Sequence, residues 1–145
     1  MSGCFWNGYR RENNCLPRPG GGPAGGHDGG VQPTPRFLQV IRSFEGRGLD
    51  EYLPFDPPLR YRVPEGREAQ CVYFRGGNSS PELICVVLTQ DGAPMRLFPL
   101  GATASVHVPL RIVENLLTDA ELELHVSAPE GTRGTVVVDL GILEL

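Results

Sequence analysis

From Phe37 to the last residue, hydrophobic side chains alternate with polar ones at a period of two. This alternation sends successive side chains to opposite faces of the backbone and is typical of half-buried β-strands. The segments that carry it are 37–44, 59–63, 69–75, 82–89, 95–98, 105–110, 121–126 and 135–145. Glycine and proline separate most of them, and a short helix is the alternative for segment 37–44. The pattern predicts seven to eight strands.

Strands at this regular spacing predict an all-β, antiparallel β-sandwich of immunoglobulin-like or jelly-roll-like kind, spanning residues 36–145. Two stretches interrupt the strand pattern. Residues 45–58 contain Pro54, Pro57 and Pro58 and are predicted to form a loop, and residues 111–119 a short helical turn.

Two hairpins are predicted from turn residues. Asp91-Gly92 is a two-residue turn signal, and a regular ladder through it would place Leu88 opposite Met95 and Val86 opposite Leu97. Segment 82–89 is apolar on both faces, which predicts a central strand covered on each side. These pairings set the expected core.

Cys71 and Cys85 would face each other if the Gly-rich loop at 76–80 closed a second hairpin. Cross-strand spacing would permit a disulfide, whereas a reducing compartment favours two packed thiols. A shift of one residue in register would remove the pairing.

Residues 1–35 form a different region, with nine glycines and five prolines. Such a composition buries too little apolar surface to offset the entropy of ordering, so we expect a flexible arm. Near its start lie Phe5, Trp6, Tyr9, Arg10 and Arg11, residue types that dominate protein interfaces. This aromatic tip is predicted to dock on a partner or on a neighbouring subunit; an unstructured start without a role is the alternative.

The net charge is −4, and all 13 basic residues are arginine. An acidic chain makes nucleic acid and anionic membranes improbable partners, and the absence of lysine excludes Schiff-base chemistry. The first residues lack a secretory signal and no apolar run is long enough to cross a membrane, so we expect a cytoplasmic protein.

Four polar residues on three predicted strands form a candidate site: His107, Glu123, His125 and Asp139. If those strands were neighbours, imidazoles and carboxylates would share one face, as a metal or an oriented general base requires. Solvated outward positions are the simpler interpretation, and no ligand spacing supports a metal. Cys4, Cys15, His27 and Asp28 likewise match no compact zinc motif. We predict no cofactor.

Three functions remain. A non-catalytic interaction or self-assembly module is favoured by the arm and by a last strand, 136–145, that could present an edge to a second subunit. A small-molecule or carbohydrate-binding sandwich is the alternative, with aromatic side chains such as Tyr52, Phe55 and Tyr61 as contacts. An enzyme using His107, His125 and Asp139 is the second alternative. A homo-oligomer or a protein partner is therefore expected.

Overall fold

The computed structural model describes residues 32–145, and these residues form eight strands and no helix. The strands are β1 (Thr34–Glu45), β2 (Gly48–Arg62), β3 (Ala69–Asn78), β4 (Ile84–Gln90), β5 (Ala93–Leu100), β6 (Ser105–Pro109), β7 (Glu121–Ala128) and β8 (Arg133–Glu144). The predicted all-β sandwich is confirmed.

Two antiparallel four-stranded sheets make up the sandwich. The first sheet has the order β1-β8-β3-β6 and the second the order β2-β7-β4-β5. Pairing is nested: the first strand pairs with the last, the second with the seventh, the third with the sixth and the fourth with the fifth. This is jelly-roll connectivity, in which consecutive strands mostly lie in opposite sheets. An immunoglobulin-like order would place the first two strands side by side, and here they belong to different sheets.

The core lies between the sheets and is built from the inward-facing half of each alternation. Phe74 of the first sheet stacks on Phe98 of the second, with ring centroids 4.0 Å apart and planes 3° apart. Leu124, Leu140 and Ile142 are among the side chains buried around them. Removing this apolar surface from water is the main force that holds the sheets together.

The strand predictions fail at two places. Residues 45–58 are not a loop, because β2 runs through all three prolines. Since β2 is an edge strand with two register shifts against β7, its prolines remove few ladder hydrogen bonds. Residues 111–119 contain no helical turn; instead Leu116 is buried and forms an isolated bridge with Ala69.

The β4–β5 hairpin follows the predicted register only beside its turn. Gln90 pairs with Ala93, but an irregularity after Leu88 shifts the remainder by one residue. Leu88 therefore lies opposite Arg96, and Val86 opposite Phe98, which is buried in the core. The predicted Leu88–Met95 and Val86–Leu97 pairs are wrong because a bulge sends the following side chains to the other face. The prediction for β4 itself is confirmed, since it lies between β7 and β5 with nearly all its side chains buried.

Two polar side chains tie the sheets together. The buried amide of Asn78, at the end of β3, donates to the carbonyl oxygens of Glu82 (2.8 Å) and Gly101 (3.1 Å) and accepts from the Ser80 amide (2.9 Å). At the opposite end of β3, the Glu144 carboxylate of the first sheet accepts a hydrogen bond from the Tyr61 hydroxyl of the second (2.9 Å). These contacts fix both ends of the sandwich.

Candidate interaction surface

The four polar residues predicted to share a face do not meet. His107 and Asp139 lie on β6 and β8 of the first sheet, whereas Glu123 and His125 lie on β7 of the second. Both pairs point away from the core, so they occupy opposite surfaces of the sandwich. The expectation of one shared face is wrong because jelly-roll connectivity alternates strands between sheets. No group of three His, Cys, Asp or Glu side chains within residues 32–145 is arranged to hold a metal ion.

On the second sheet, Glu123 bridges two cationic or potentially cationic groups. Its carboxylate pairs with the Arg60 guanidinium, and its other oxygen lies 2.7 Å from Nε2 of His125. The His125 ring packs edge-on against Tyr52, with centroids 5.1 Å apart. Burial lowers the pKa of His125 despite the carboxylate beside it. The neutral imidazole donates through Nε2, and its Nδ1 and the neighbouring Ser127 hydroxyl are buried without a protein hydrogen-bond partner. Because His125 and Ser127 are buried and Glu123 is largely covered, we assign these side chains a packing role.

On the first sheet, Arg75 of β3 lies between His107 of β6 and Asp139 of β8 in the strand register. The Arg75 guanidinium lies over the Tyr73 ring, 5.1 Å from its centroid, and His107 packs edge-on against the same ring. The Asp139 carboxylate accepts hydrogen bonds from Tyr73 (3.1 Å) and Gln39 (3.2 Å). This outer face is therefore a row of oriented polar groups.

Cys71 and Cys85 are both free thiols and lie in different sheets. The hairpin that would have paired them does not exist, because the chain crosses from the first sheet to the second between β3 and β4. Burial raises the pKa of Cys71 to about 12, so its thiol is protonated and unreactive at neutral pH. The cross-strand pairing of Cys71 and Cys85 is therefore wrong, and the two residues are free thiols, the alternative that a reducing compartment favours.

The four edge strands of the sandwich differ in how well they could pair with another chain. β2 contains three prolines and β5 contains two, which remove backbone donors, and β6 is five residues long. β1 has twelve residues with a single proline next to its start. Within residues 32–145, β1 pairs with β8 alone, so its other side is an open ladder edge.

β1 also exposes large apolar side chains on its outward face. Phe37 is 55% exposed and Ile41 is 66% exposed, and Val137 of the adjacent β8 is 43% exposed. We call the open edge of β1 together with Phe37, Ile41 and Val137 the β1 surface. Long edge strands with exposed apolar residues are sites where proteins associate. The β1 surface is the candidate interaction site.

Sequence reasoning assigned the edge to the wrong strand. The last strand was expected to present it, but β8 lies inside the first sheet between β1 and β3. Phe37 and Ile41 alternate with Leu38 and Val40, so β1 reads as apolar on both faces. That signal marked a strand with an additional apolar surface, but it did not distinguish an edge strand from a central one.

Several candidate residues lie outside residues 32–145. They are the predicted partner-binding residues Phe5, Trp6, Tyr9, Arg10 and Arg11, and the four residues considered as zinc ligands, Cys4, Cys15, His27 and Asp28.

No protein-family model matches the chain, and no curated protein matches it at a significant level. Among the described residues there is no helix of the length and apolarity that crossing a membrane requires.

Proposed function

We propose that this protein is a non-catalytic self-assembly module whose sandwich body associates with a second copy through the β1 surface. The observation that carries the proposal is the contrast between β1 and the other three edges. Proline or shortness blocks those edges, whereas β1 combines an open ladder with exposed apolar side chains. Identical surfaces on two copies give a closed, symmetric assembly.

The N-terminal arm belongs to the same proposal. In the sequence it directly precedes β1, the strand that is proposed to form the contact. We propose that its aromatic tip, Phe5, Trp6 and Tyr9 with Arg10 and Arg11, docks on the neighbouring subunit. A segment tethered next to an interface binds at a high effective concentration, so modest contacts there add to the affinity.

The test is the solution mass of full-length protein between about 1 and 100 μM, the range in which interfaces of modest area associate. We expect an oligomer that Ile41→Asp dissociates, because the new charge would be buried between copies. Leu97→Asp is the matched control, since Leu97 is 65% exposed on a proline-containing edge of the other sheet. A wild-type protein that stays monomeric throughout this range contradicts the proposal.

The role of the arm is tested separately with the 32–145 fragment, which contains every core residue that the structure describes. We expect the dissociation constant of the oligomer formed by this fragment to be at least about tenfold higher than that of the full-length protein, equivalent to about 1.4 kcal/mol. An unchanged constant would remove the arm from the proposal and leave the β1 contact intact.

A small-ligand site is the second candidate function, and one surface feature favours it. A shallow trough on the first sheet is lined by Arg75, Gly77, His107, Val137 and Asp139, among others. Gly77 opens this trough, since a Cβ there would sit 3.8 Å from the Val137 Cβ in ordinary contact. The Arg75 guanidinium, which lies over the Tyr73 ring, lines the trough and could donate hydrogen bonds to a carboxylate there.

Thermal-shift screening with small carboxylates tests this candidate, with Gly77→Leu as the variant that fills the trough. A ligand that stabilises wild type but not Gly77→Leu supports the site. Equal stabilisation of both proteins places binding elsewhere. For the enzyme alternative we make no proposal from His107, His125 and Asp139, because they lie on two different surfaces.

A further inference from the structure

We infer that the second copy pairs antiparallel with β1 about a two-fold axis at Gln39, which joins the first sheets of two subunits into one eight-stranded sheet. This inference rests on the proposed self-assembly and specifies its geometry. The occupant of the β1 edge is thus another β1, and the contact is isologous.

Side chains of β1 alternate between the core and the outer face of the first sheet. Gln39 points outward between Phe37 and Ile41, while Leu38 and Val40 point into the core at 9% exposure each. In an antiparallel pair, directly opposed residues lie on the same face of the sheet. Any register between two copies must therefore match outward residues with outward residues.

Centring the pair on Gln39 matches apolar side chains on both faces. Phe37 of each copy lies opposite Ile41 of the other, which covers the two most exposed apolar residues of the strand. On the inner face Leu38 lies opposite Val40, so the cores of the two subunits become continuous across the edge. Aromatic and β-branched residues in directly opposed positions stabilise a sheet.

Moving the axis by one residue along the strand, to Leu38 or to Val40, loses this agreement. With the axis at Leu38, Phe37 faces the amide of Gln39 and Ile41 faces Pro35. With the axis at Val40, Phe37 faces Ser43 and Ile41 faces Gln39. Neither arrangement pairs the two exposed apolar residues with each other.

The polar positions are compatible with the Gln39 axis. Each Gln39 amide donates one N–H to Asp139 of its own subunit, which leaves its second N–H and its carbonyl oxygen to pair across the axis. Arg36 lies opposite Arg42, but each guanidinium is already engaged within its own subunit. Arg36 pairs with Glu144 at 3.1 Å, and Arg42 donates to the carbonyl oxygen of Asp56 at 3.4 Å. Arg42 also donates to the carbonyl oxygen of Ile41 in its own strand at 3.1 Å, so both guanidinium groups have partners within their own subunit.

Disulfide trapping in the full-length chain tests the register. At the axis, Cα atoms of opposed residues are about 4.5–5.5 Å apart, within the range that a disulfide spans. We expect Gln39→Cys to form a covalent homodimer under mild oxidation, with the 39–39 linkage identified by peptide mass mapping. Ser43→Cys is the matched control on the same exposed face. Its two copies would lie about 27 Å apart, so no 43–43 linkage should form.

A mixing experiment checks the same geometry away from the axis. Phe37→Cys and Ile41→Cys should each remain uncrosslinked alone and should form a 37–41 linkage when mixed.

The outcomes separate this inference from the proposed function. An oligomer by mass in which Gln39→Cys does not crosslink, or in which Ser43→Cys does, overturns the register and leaves self-assembly standing. A monomer by mass overturns both.

Discussion

Replacing Glu144 by glutamine should destabilise the protein more than any other single change of a charged side chain to its amide. Glu144 is 2% exposed, and its carboxylate receives Arg36 at 3.1 Å, the Tyr61 hydroxyl at 2.9 Å and, more distantly, Arg67 at 3.8 Å. Because Tyr61 belongs to the second sheet, this carboxylate connects the two layers. An amide of the same size keeps one acceptor oxygen but loses the charge.

The magnitude follows from how deeply each partner is buried. Removing one member of a fully buried ion pair costs about 3–5 kcal/mol. The Arg36 side chain is 53% exposed and is hydrated when released, which reduces the loss of stability. The Arg67 side chain is only 28% exposed and is left facing an amide, so its part of the loss remains. We therefore expect the free energy of unfolding to fall by about 2–3 kcal/mol, because hydrogen bonds to a charged group contribute about 1.5–3 kcal/mol each. For a domain of this size the melting temperature should fall by about 8–12 °C.

Urea unfolding at pH 7 measures this loss, with all variants at one protein concentration because association would stabilise the folded state. Glu45→Gln is the matched control. Glu45 pairs with Arg133 at 3.3 Å, but both side chains are mostly exposed, and such pairs contribute at most about 1 kcal/mol.

The pH dependence provides an independent check on the mechanism. Arg36 and Tyr61 stabilise the ionised form, so the pKa of Glu144 is lowered from its ordinary value of 4.5 in the folded protein. Its contribution is fully present above the unfolded pKa and is lost as the pH falls through the folded pKa. The stability gap between wild type and Glu144→Gln should therefore stay constant from pH 6 to 8 and close below about pH 4.5. A gap that persists in acid, or one no larger than that of Glu45→Gln, would refute this reasoning.

Three further predictions address other residues. Burial lowers the pKa of His125 below its unfolded value of 6.5. His125 therefore contributes stability that is present above pH 6.5 and is lost as the pH falls through the folded pKa. In His125→Phe the free energy of unfolding should depend less steeply on pH below 6.5. Asn78→Ala should lower the free energy of unfolding by about 2–3 kcal/mol in urea titrations, because it leaves buried carbonyl groups unpaired. Asn115→Ala is the control, and because Asn115 makes an exposed contact, this variant should change the free energy of unfolding by less than about 0.5 kcal/mol. Alkylation at pH 8 followed by peptide mass mapping should leave Cys71 unmodified until the protein unfolds, and a Cys71–Cys85 disulfide in the native protein would contradict the assigned topology.

The fold class was predictable from local pattern, because burial of one strand face leaves a period of two in the chain itself. β4 illustrates this: its apolar residues on both faces correctly predicted a covered central strand. The course of β2 was not predictable from composition, because whether Pro54 breaks a strand depends on which side of it has a neighbour. Bulges such as the one after Leu88 are similarly invisible in the alternation until the partner strand is known.

The candidate site was predictable only in part for the same reason. His107 and His125 each occupy an outward position, as the alternation indicates, but which sheet receives each strand is decided by long-range pairing that single-strand patterns do not contain. The open edge of the first sheet is the clearest example of a feature that depends on long-range pairing. β1 and β8 are equally long and similarly apolar, and they differ in that β8 has two neighbours and β1 has one. An apolar outward side chain such as Val137 on β8 lies within a continuous sheet surface, whereas Phe37 and Ile41 lie beside an open backbone ladder. The same residue types therefore have different consequences on the two strands, because within residues 32–145 β1 has an open ladder edge and β8 has none.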